Sequence, residues 1–157
     1  MKVRIGLEDK NREGSIGILN RLLADEYVLY TKTRNYHWNV TGEDFREYHK
    51  FFEEQYEALD GIVDETAERA RSLGGRAAGS MAEFLKLARL EEQPSERPDV
   101  KKMTANLLAD HEALIIHLRQ DLQAAADKYK DMGTSDFLTG LMEQHEKMAW
   151  MLRSSLE

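Results

Sequence analysis

The stretch Tyr36–Gly75 decides the fold: YHWNVTGEDFREYHKFFEEQYEALDGIVDETAERARSLGG. It predicts the end of one helix and the whole of a second, long one. In the second helix, mostly apolar residues recur three and four positions apart, which is the spacing of a helix face that packs in a bundle. They are Phe45, Phe52, Tyr56, Leu59, Val63, Thr66, Ala70 and Leu73. Gly74 and Gly75 predict where this helix ends.

Helical spacing continues on both sides of this stretch. Residues from about Arg12 to Val40 predict a first long helix, and residues 1–11 predict a short flexible or strand-like arm before it. A short helix is predicted over Met81–Leu90, capped by Ser80. Two more long helices follow: the third long helix is capped by Asp99 and ends at Asp131–Gly133, and the fourth is capped by Thr134 or Ser135. The sequence therefore predicts an all-α domain over residues 12–157. Because the link Gly74–Pro98 is too long for a tight hairpin, a four-helix bundle with one long crossover between helices 2 and 3 is expected.

The composition narrows the possible partners. A net charge of −7 argues against binding to nucleic acid or anionic lipid through a basic surface, and it suits a protein that handles cations. The chain has no cysteine, which excludes disulfides and thiolate metal sites and favours a reducing compartment. It also lacks an apolar run of about 18 residues and a signal-peptide core. We therefore expect a soluble, cytoplasmic protein that does not engage a membrane.

Two pairs of candidate metal ligands lie along one edge of the buried face of the second helix. His49 and Glu53 are four residues apart, as are Asp64 and Glu68, so each pair can contact one ion. The pairs are separated by 15 residues, about 22 Å along a helix. Since metal–ligand bonds are about 2 Å long, the two pairs cannot share an ion within one chain.

A two-fold dimer removes this separation. If two copies of the helix pair antiparallel, His49 faces Glu68 of the partner and Glu53 faces Asp64, because both pairs are centred on the same point of the helix. A further imidazole, His37, lies on the inward face of the preceding helix. We predict two identical intersubunit sites per dimer, in which two imidazoles and several carboxylates suit Fe(II) or Mn(II), with Zn(II) as another occupant. The alternative from the residues alone is a non-catalytic helical dimer with core histidines and solvated acids.

These residues resemble the Dps-type mini-ferritins of the ferritin-like superfamily. The shared motifs are Tyr36-His37-Trp38-Asn39-Val40-x-Gly42, His49 twelve residues after His37, Asp64-Glu65-x-Ala67-Glu68-Arg69 and Leu73-Gly74-Gly75. The resemblance covers the helix layout of nearly the whole chain and weakens in the arm and in residues 76–100. It implies a ferritin-like bundle with the short helix in the crossover, assembled from two-fold dimers into a hollow shell of twelve subunits.

The implied activity is that of a ferroxidase: oxidation of Fe(II) to Fe(III), typically by hydrogen peroxide, with storage of the ferric mineral inside the shell. The family's functional positions carry over to the histidine ligands His37 and His49, the cross-subunit carboxylates Asp64 and Glu68, and Trp38, a tryptophan that donates electrons and limits radical release. Glu53 stands where the family often has Asp, and its longer side chain alters the geometry of a second metal position. Larger ferritins place a glutamate three residues before a histidine, and this sequence contains no such pair.

Three other expectations remain open at this stage. DNA-binding family members have lysine-rich tails, whereas the first 13 residues here hold four basic and three acidic side chains, so we predict weak or absent DNA binding; a DNA-compacting protein is the alternative function. His111 and His145 lie on apolar faces and are predicted to be structural. Asp131 and Asp136 are turn or cap residues, with an entry-pore role for Asp136 as the alternative that the family implies.

Overall fold

The computed structural model describes residues 3–94 and 96–157, and the described residues form five α-helices and no strand. The helices are α1 (Asp9–Asn39), α2 (Phe45–Ser72), α3 (Met81–Leu87), α4 (Val100–Asp127) and α5 (Met132–Ser154). The predicted bundle, with its short helix in the crossover, is confirmed. Met1, Lys2 and Ser95, which fall in the predicted arm and the crossover loop, lie outside the described residues.

The bundle consists of two tightly packed helix pairs, α1 with α2 and α4 with α5, and α3 lies on α1. Its core is mostly aliphatic. Leucines without exposed surface come from every long helix: Leu19, Leu22 and Leu29, Leu59, Leu107, Leu114 and Leu118, Leu138 and Leu152. None of the described helices has the length and apolar character needed to cross a membrane.

Helix α1 begins three residues earlier than the sequence predicted, at Asp9 instead of Arg12. The described residues before it form no strand and lie against the bundle. Leu7 packs on the core, and Val3 packs so closely on Gly74 that a Cβ there would lie 2.3 Å from Val3 Cγ2. Arg12 also donates a hydrogen bond to the carbonyl of Leu73, at 2.9 Å. The described part of the arm is therefore held by the end of α2.

The buried face of α2 differs in part from its prediction. Gln55 and Ile62 are buried, whereas Phe45 is 41% exposed, and Tyr56 and Val63 are half-buried. The reason is the crossover, which adds a second apolar cluster beside the main core. In this cluster Val63 packs near the buried ring of Phe84 of α3.

Helix α3 ends at Leu87, three residues before its predicted end. The next residues leave the helix because the backbone N–H groups of Arg89 and Leu90 donate hydrogen bonds to the buried carboxylate of Asp25. The Arg89 guanidinium also bridges Asp25, at 2.7 Å, and Asp121, at 2.9 Å. This buried contact fixes the crossover to α1 and α4. The ion pair of Asp121 with Arg89 could not be predicted from helical spacing, because Arg89 lies outside α4.

The caps of α3 and α4 are the predicted Ser80 and Asp99, but the cap of α5 is Asp131 and not Thr134 or Ser135. Asp131 accepts hydrogen bonds from the backbone N–H of Thr134, at 3.0 Å, and from its hydroxyl, at 2.6 Å. Burial alone would raise the pKa of Asp131, but these hydrogen bonds and the charge of Arg69 outweigh it and hold the pKa below its usual value. Asp131 is therefore buried and serves as a cap, whereas Asp136 is exposed.

Candidate metal centre

His37 and His49 meet where the last turn of α1 lies beside the start of α2. The Nδ1 atom of each ring lies within hydrogen-bond distance of the other residue's backbone carbonyl oxygen, at 2.8 Å for His37 and 2.9 Å for His49. The two rings stack with their centroids 3.8 Å apart. The carbonyl of His37 is available because the last turn of a helix leaves its carbonyls without intrahelical partners. Two helices and two rings are thus fixed by one reciprocal contact.

This contact selects the tautomer of both rings. A carbonyl oxygen can only accept a hydrogen bond, so each Nδ1 must carry the hydrogen. In a neutral imidazole, the lone pair is then on Nε2. A metal-ligating histidine characteristically donates its second ring N–H to a carbonyl or carboxylate in this way. Both histidines therefore present a nitrogen of the type that a metal ion needs.

The third candidate ligand on the same half-site, Glu53, is partly exposed near the two rings. Lys50 donates a hydrogen bond to its carboxylate at 2.9 Å. This hydrogen bond is the main cause that lowers the pKa of Glu53, and the positive charge of Lys50 lowers it further. Glu53 is consequently held as a carboxylate, the form that can bind a cation.

Asp64 and Glu68 lie about three to five turns further along α2 than His49 and Glu53, and both are exposed. Within residues 3–94 and 96–157, neither makes a hydrogen bond or ion pair, and no group of three or more His, Asp or Glu side chains is placed to hold a metal ion. One chain therefore brings His37 and His49 into contact, with Glu53 one turn further along α2, and leaves Asp64 and Glu68 apart from them.

Trp38 follows His37 but points away from the core, with 64% of its surface exposed. Trp38 is therefore not part of the bundle core. The guanidinium of Arg34 lies 5.3 Å from the Trp38 ring and 5.2 Å from the ring of Tyr56, which itself packs edge-on against His37. Arg34 holds an exposed indole beside the histidine pair through cation–π contacts.

A second polar cluster lies in the centre of the bundle, and Glu26 is the member that the sequence reasoning missed. His145 Nε2 lies 2.8 Å from the carboxylate of Glu26, and the Nδ1 atoms of His145 and His111 are 2.9 Å apart. All three side chains have no exposed surface. Its position in the sequence could have indicated this, because Glu26 lies on the same face of α1 as Leu19, Leu22 and Leu29. An acid on such an apolar face is rarely buried without a partner.

The comparisons with known proteins place the chain in a family. A model of the ferritin-like domain matches residues 16–157. DNA protection during starvation protein 2 of Bacillus anthracis is 36% identical over 141 residues, which are 90% of this chain and 95% of that protein. The chain belongs to the ferritin-like family, as a Dps-type mini-ferritin.

Two further comparisons cover the mini-ferritin almost end to end. An uncharacterized low temperature-induced protein of Nostoc sp. is 51% identical over 156 residues, which are 99% of this chain and 87% of that protein. The crystal structure of the Dps protein from Vibrio cholerae O1, described as a member of a broad superfamily of ferritin-like diiron-carboxylate proteins, has a TM-score of 0.91 at 34% identity. That match covers 100% of this chain and 98% of the other.

Proposed function

We propose that this mini-ferritin oxidises Fe(II) at a site shared between two subunits and stores the ferric product in a hollow shell. The observation that carries the proposal is the reciprocal contact of His37 and His49, which prepares two imidazole nitrogens beside the carboxylate of Glu53. The family supports a role in iron storage and protection. The intersubunit site, the oxidant and the shell of twelve subunits belong to the proposal alone.

The partner subunit supplies the remaining ligands. The exposed Asp64 and Glu68 lie about 22 Å from the histidine half-site, and a two-fold axis near Ala58 brings the partner's copies of both carboxylates to it. Gly61 is an exposed small residue beside Asp64 and Glu68 on this face, which lets the two copies of α2 approach closely. The donor set of imidazole and carboxylate suits Fe(II), and Mn(II) or Zn(II) would compete for it.

Fe(II) is the substrate of the proposed reaction, and hydrogen peroxide is the oxidant. Two Fe(II) ions each lose one electron; the peroxide O–O bond breaks, and two protons are taken up to give two waters and two Fe(III). Neutral imidazoles and ionised carboxylates position the iron and leave other coordination positions free, as redox chemistry needs. Using peroxide in a two-electron step prevents the release of hydroxyl radical.

Co-assembly of two inactive variants tests whether the site is shared. One variant carries His37→Ala with His49→Ala, and the other carries Asp64→Asn with Glu68→Gln. Each homo-oligomer should lose rapid peroxide-driven Fe(II) oxidation while keeping its helix content and mass. In a mixed dimer, one of the two sites has wild-type residues from both chains, so random mixing should restore about a quarter of the wild-type rate.

The outcomes separate the alternatives clearly. Restoration in the mixture, but not in either parent, requires a site with ligands from both subunits. A mixture as inactive as its parents would refute the shared site, and parents that oxidise Fe(II) at the wild-type rate would refute the ligand assignment. His117→Ala, which changes a histidine of α4 away from the proposed site, serves as the control for histidine loss.

DNA compaction is the less favoured alternative function. With the described part of the arm packed on the bundle through Val3 and Leu7, it offers no free basic tail. The subunit charge of −7 adds repulsion from phosphate, which grows with each subunit in an assembly. Weak or absent DNA binding therefore forms part of the proposal.

A further inference from the structure

The buried cluster of Glu26, His145 and His111 joins three helices in the bundle core. Glu26 is on α1, His145 is on α5 and His111 is on α4, and each is fully buried. The contacts run in series, 2.8 Å from Glu26 to His145 and 2.9 Å from His145 to His111. Burying such groups in an aliphatic core is costly, and it is tolerated only when their hydrogen bonds are made.

The contact between the two rings depends on their protonation. It joins two Nδ1 atoms, so one must donate a hydrogen and the other must accept it. If both rings become imidazolium, two N–H groups face each other and the hydrogen bond is replaced by repulsion. Glu26 can neutralise one imidazolium, that of His145, but it does not contact His111, whose Nε2 atom has no hydrogen-bond partner within the described residues.

The surrounding groups offer no other compensation for a charge on His111. The buried side chains of α2 include no titratable group: they are Phe52, Gln55, Leu59, Ile62, Thr66 and Ala70. The other buried titratable groups of α1 and α4 have partners of their own, since Asp25 and Asp121 bind Arg89, and Lys32 binds Asp110. Desolvation, followed by the proximity of His145, places the pKa of His111 well below its usual value.

We propose that Glu26, His145 and His111 form an acid-sensitive latch, which holds α1, α5 and α4 together at neutral pH and opens the bundle when both imidazole rings are protonated. The latch is separate from the proposed iron ligands, and its operation does not require iron.

The sign of the pH effect follows from linkage. A histidine in an unfolded chain takes up its proton at about pH 6.5. His111 takes up a proton at a lower pH in the folded core, so below about pH 6.5 the opened state binds one more proton than the closed state. The equilibrium constant for opening then rises by up to about tenfold for each unit by which the pH falls. Stability is fully present above this range and is lost as the pH falls.

Hydrogen exchange of the full-length protein, read by mass spectrometry at pH 7.5 and 5.5, measures this opening. After correction for the intrinsic pH dependence of exchange, wild-type peptides from the centres of α4 and α5 should exchange up to about tenfold faster at pH 5.5. His111→Gln keeps a hydrogen-bonding side chain that does not titrate, so its exchange should not accelerate. His117→Gln removes a half-buried histidine of the same helix and should behave as wild type.

A second variant keeps the test decisive if His111→Gln does not fold. Glu26→Gln removes the carboxylate that contacts His145, so a proton on the rings has no opposite charge beside it in the closed cluster. Its exchange should therefore accelerate at a higher pH than that of wild type. A wild-type protein without acid-accelerated exchange, a His111→Gln protein that accelerates equally, or a Glu26→Gln protein that accelerates at no higher pH than wild type would overturn the latch.

Discussion

His37 and His49 illustrate how single residues prepare a site for a metal. Each ring uses one nitrogen to bind the other residue's carbonyl and leaves the second nitrogen for a ligand role. Spacing in the sequence was sufficient to select these two residues as candidate ligands. It could not reveal the reciprocal contact, because that contact depends on how the end of α1 lies beside the start of α2.

In the cluster of Glu26, His145 and His111, the sequence predicts the burial of the histidines but not their contact with Glu26. The two histidines were correctly predicted to be buried, since they lie on apolar faces. Their partner is more than a hundred residues away from His145 along the chain. Only the packing of α1 against α5 brings Glu26 to that ring, so the local pattern holds no direct record of the contact.

Trp38 provides a prediction at the residue scale. Trp38→Phe should leave the Fe(II) oxidation rate unchanged and increase hydroxyl radical release, because phenylalanine is harder to oxidise than the indole that Arg34 holds beside the site. Since Trp38 is 64% exposed, the free energy of unfolding should change by less than about 0.5 kcal/mol. Spin trapping during iron oxidation measures the radical.

Trp150→Phe is the matched control, because Trp150 is 59% exposed but lies on α5, away from His37. Equal radical release from wild type and Trp38→Phe would contradict an electron-donor role for Trp38. The same increase in both variants would point to general loss of indole.

At the scale of helices, most boundaries follow from apolar spacing and cap residues, and the exceptions have tertiary causes. The start of α5 was misplaced because Asp131 is both its cap and the partner of Arg69 of α2. The end of α3 was misplaced because Asp25 binds the backbone that follows it. In each case a side chain from another helix decided the boundary.

Two glycines of α1 provide a prediction at this scale. A Cβ at Gly14 would lie 2.0 Å from the ring of Tyr129, which follows α4, whereas a Cβ at Gly17 would meet nothing within 4 Å. Gly14→Ala should therefore lower the free energy of unfolding by about 1–3 kcal/mol through overpacking. Gly17→Ala, its matched control, should raise it by about 0.5–1 kcal/mol, because alanine is the better helix former.

Guanidinium unfolding of both variants at one protein concentration measures the difference. If Gly14→Ala were as stable as Gly17→Ala, the ring of Tyr129 would not be held against α1, and the close approach of α1 to the end of α4 would not constrain the bundle.

For the whole molecule, the proposed activity depends on the proposed assembly, because the proposed site needs ligands from two subunits. In the described chain His37 and His49 contact each other, whereas the exposed carboxylates Asp64 and Glu68 are too distant to share an ion with them. The sequence predicts this separation because the rise per residue of a helix is fixed, so two pairs of side chains 15 residues apart on one helix cannot contact the same ion. The number of subunits does not follow from that arithmetic and rests on the family.

Gly61 provides the prediction at this scale, because it is exposed on α2 on the side of Asp64 and Glu68, close to the proposed two-fold axis. Gly61→Arg should leave the subunit folded, since a Cβ there would meet nothing within 4 Å and arginine is a better helix former than glycine. It should prevent close pairing of the two copies of α2, and rapid Fe(II) oxidation should be lost together with the dimer. Light scattering should show the mass fall from about twelve times 18.1 kDa to dissociated subunits, with unchanged helix content by circular dichroism.

Ala109→Arg places the same side chain at an exposed position of α4 and should retain both mass and activity. A Gly61→Arg protein that stays assembled and oxidises Fe(II) at the wild-type rate would mean that the two-fold axis does not pass this residue. An assembled but inactive protein would instead mean that the arginine disturbs the site without breaking the dimer. Only joint loss of mass and activity agrees with a site built from both subunits.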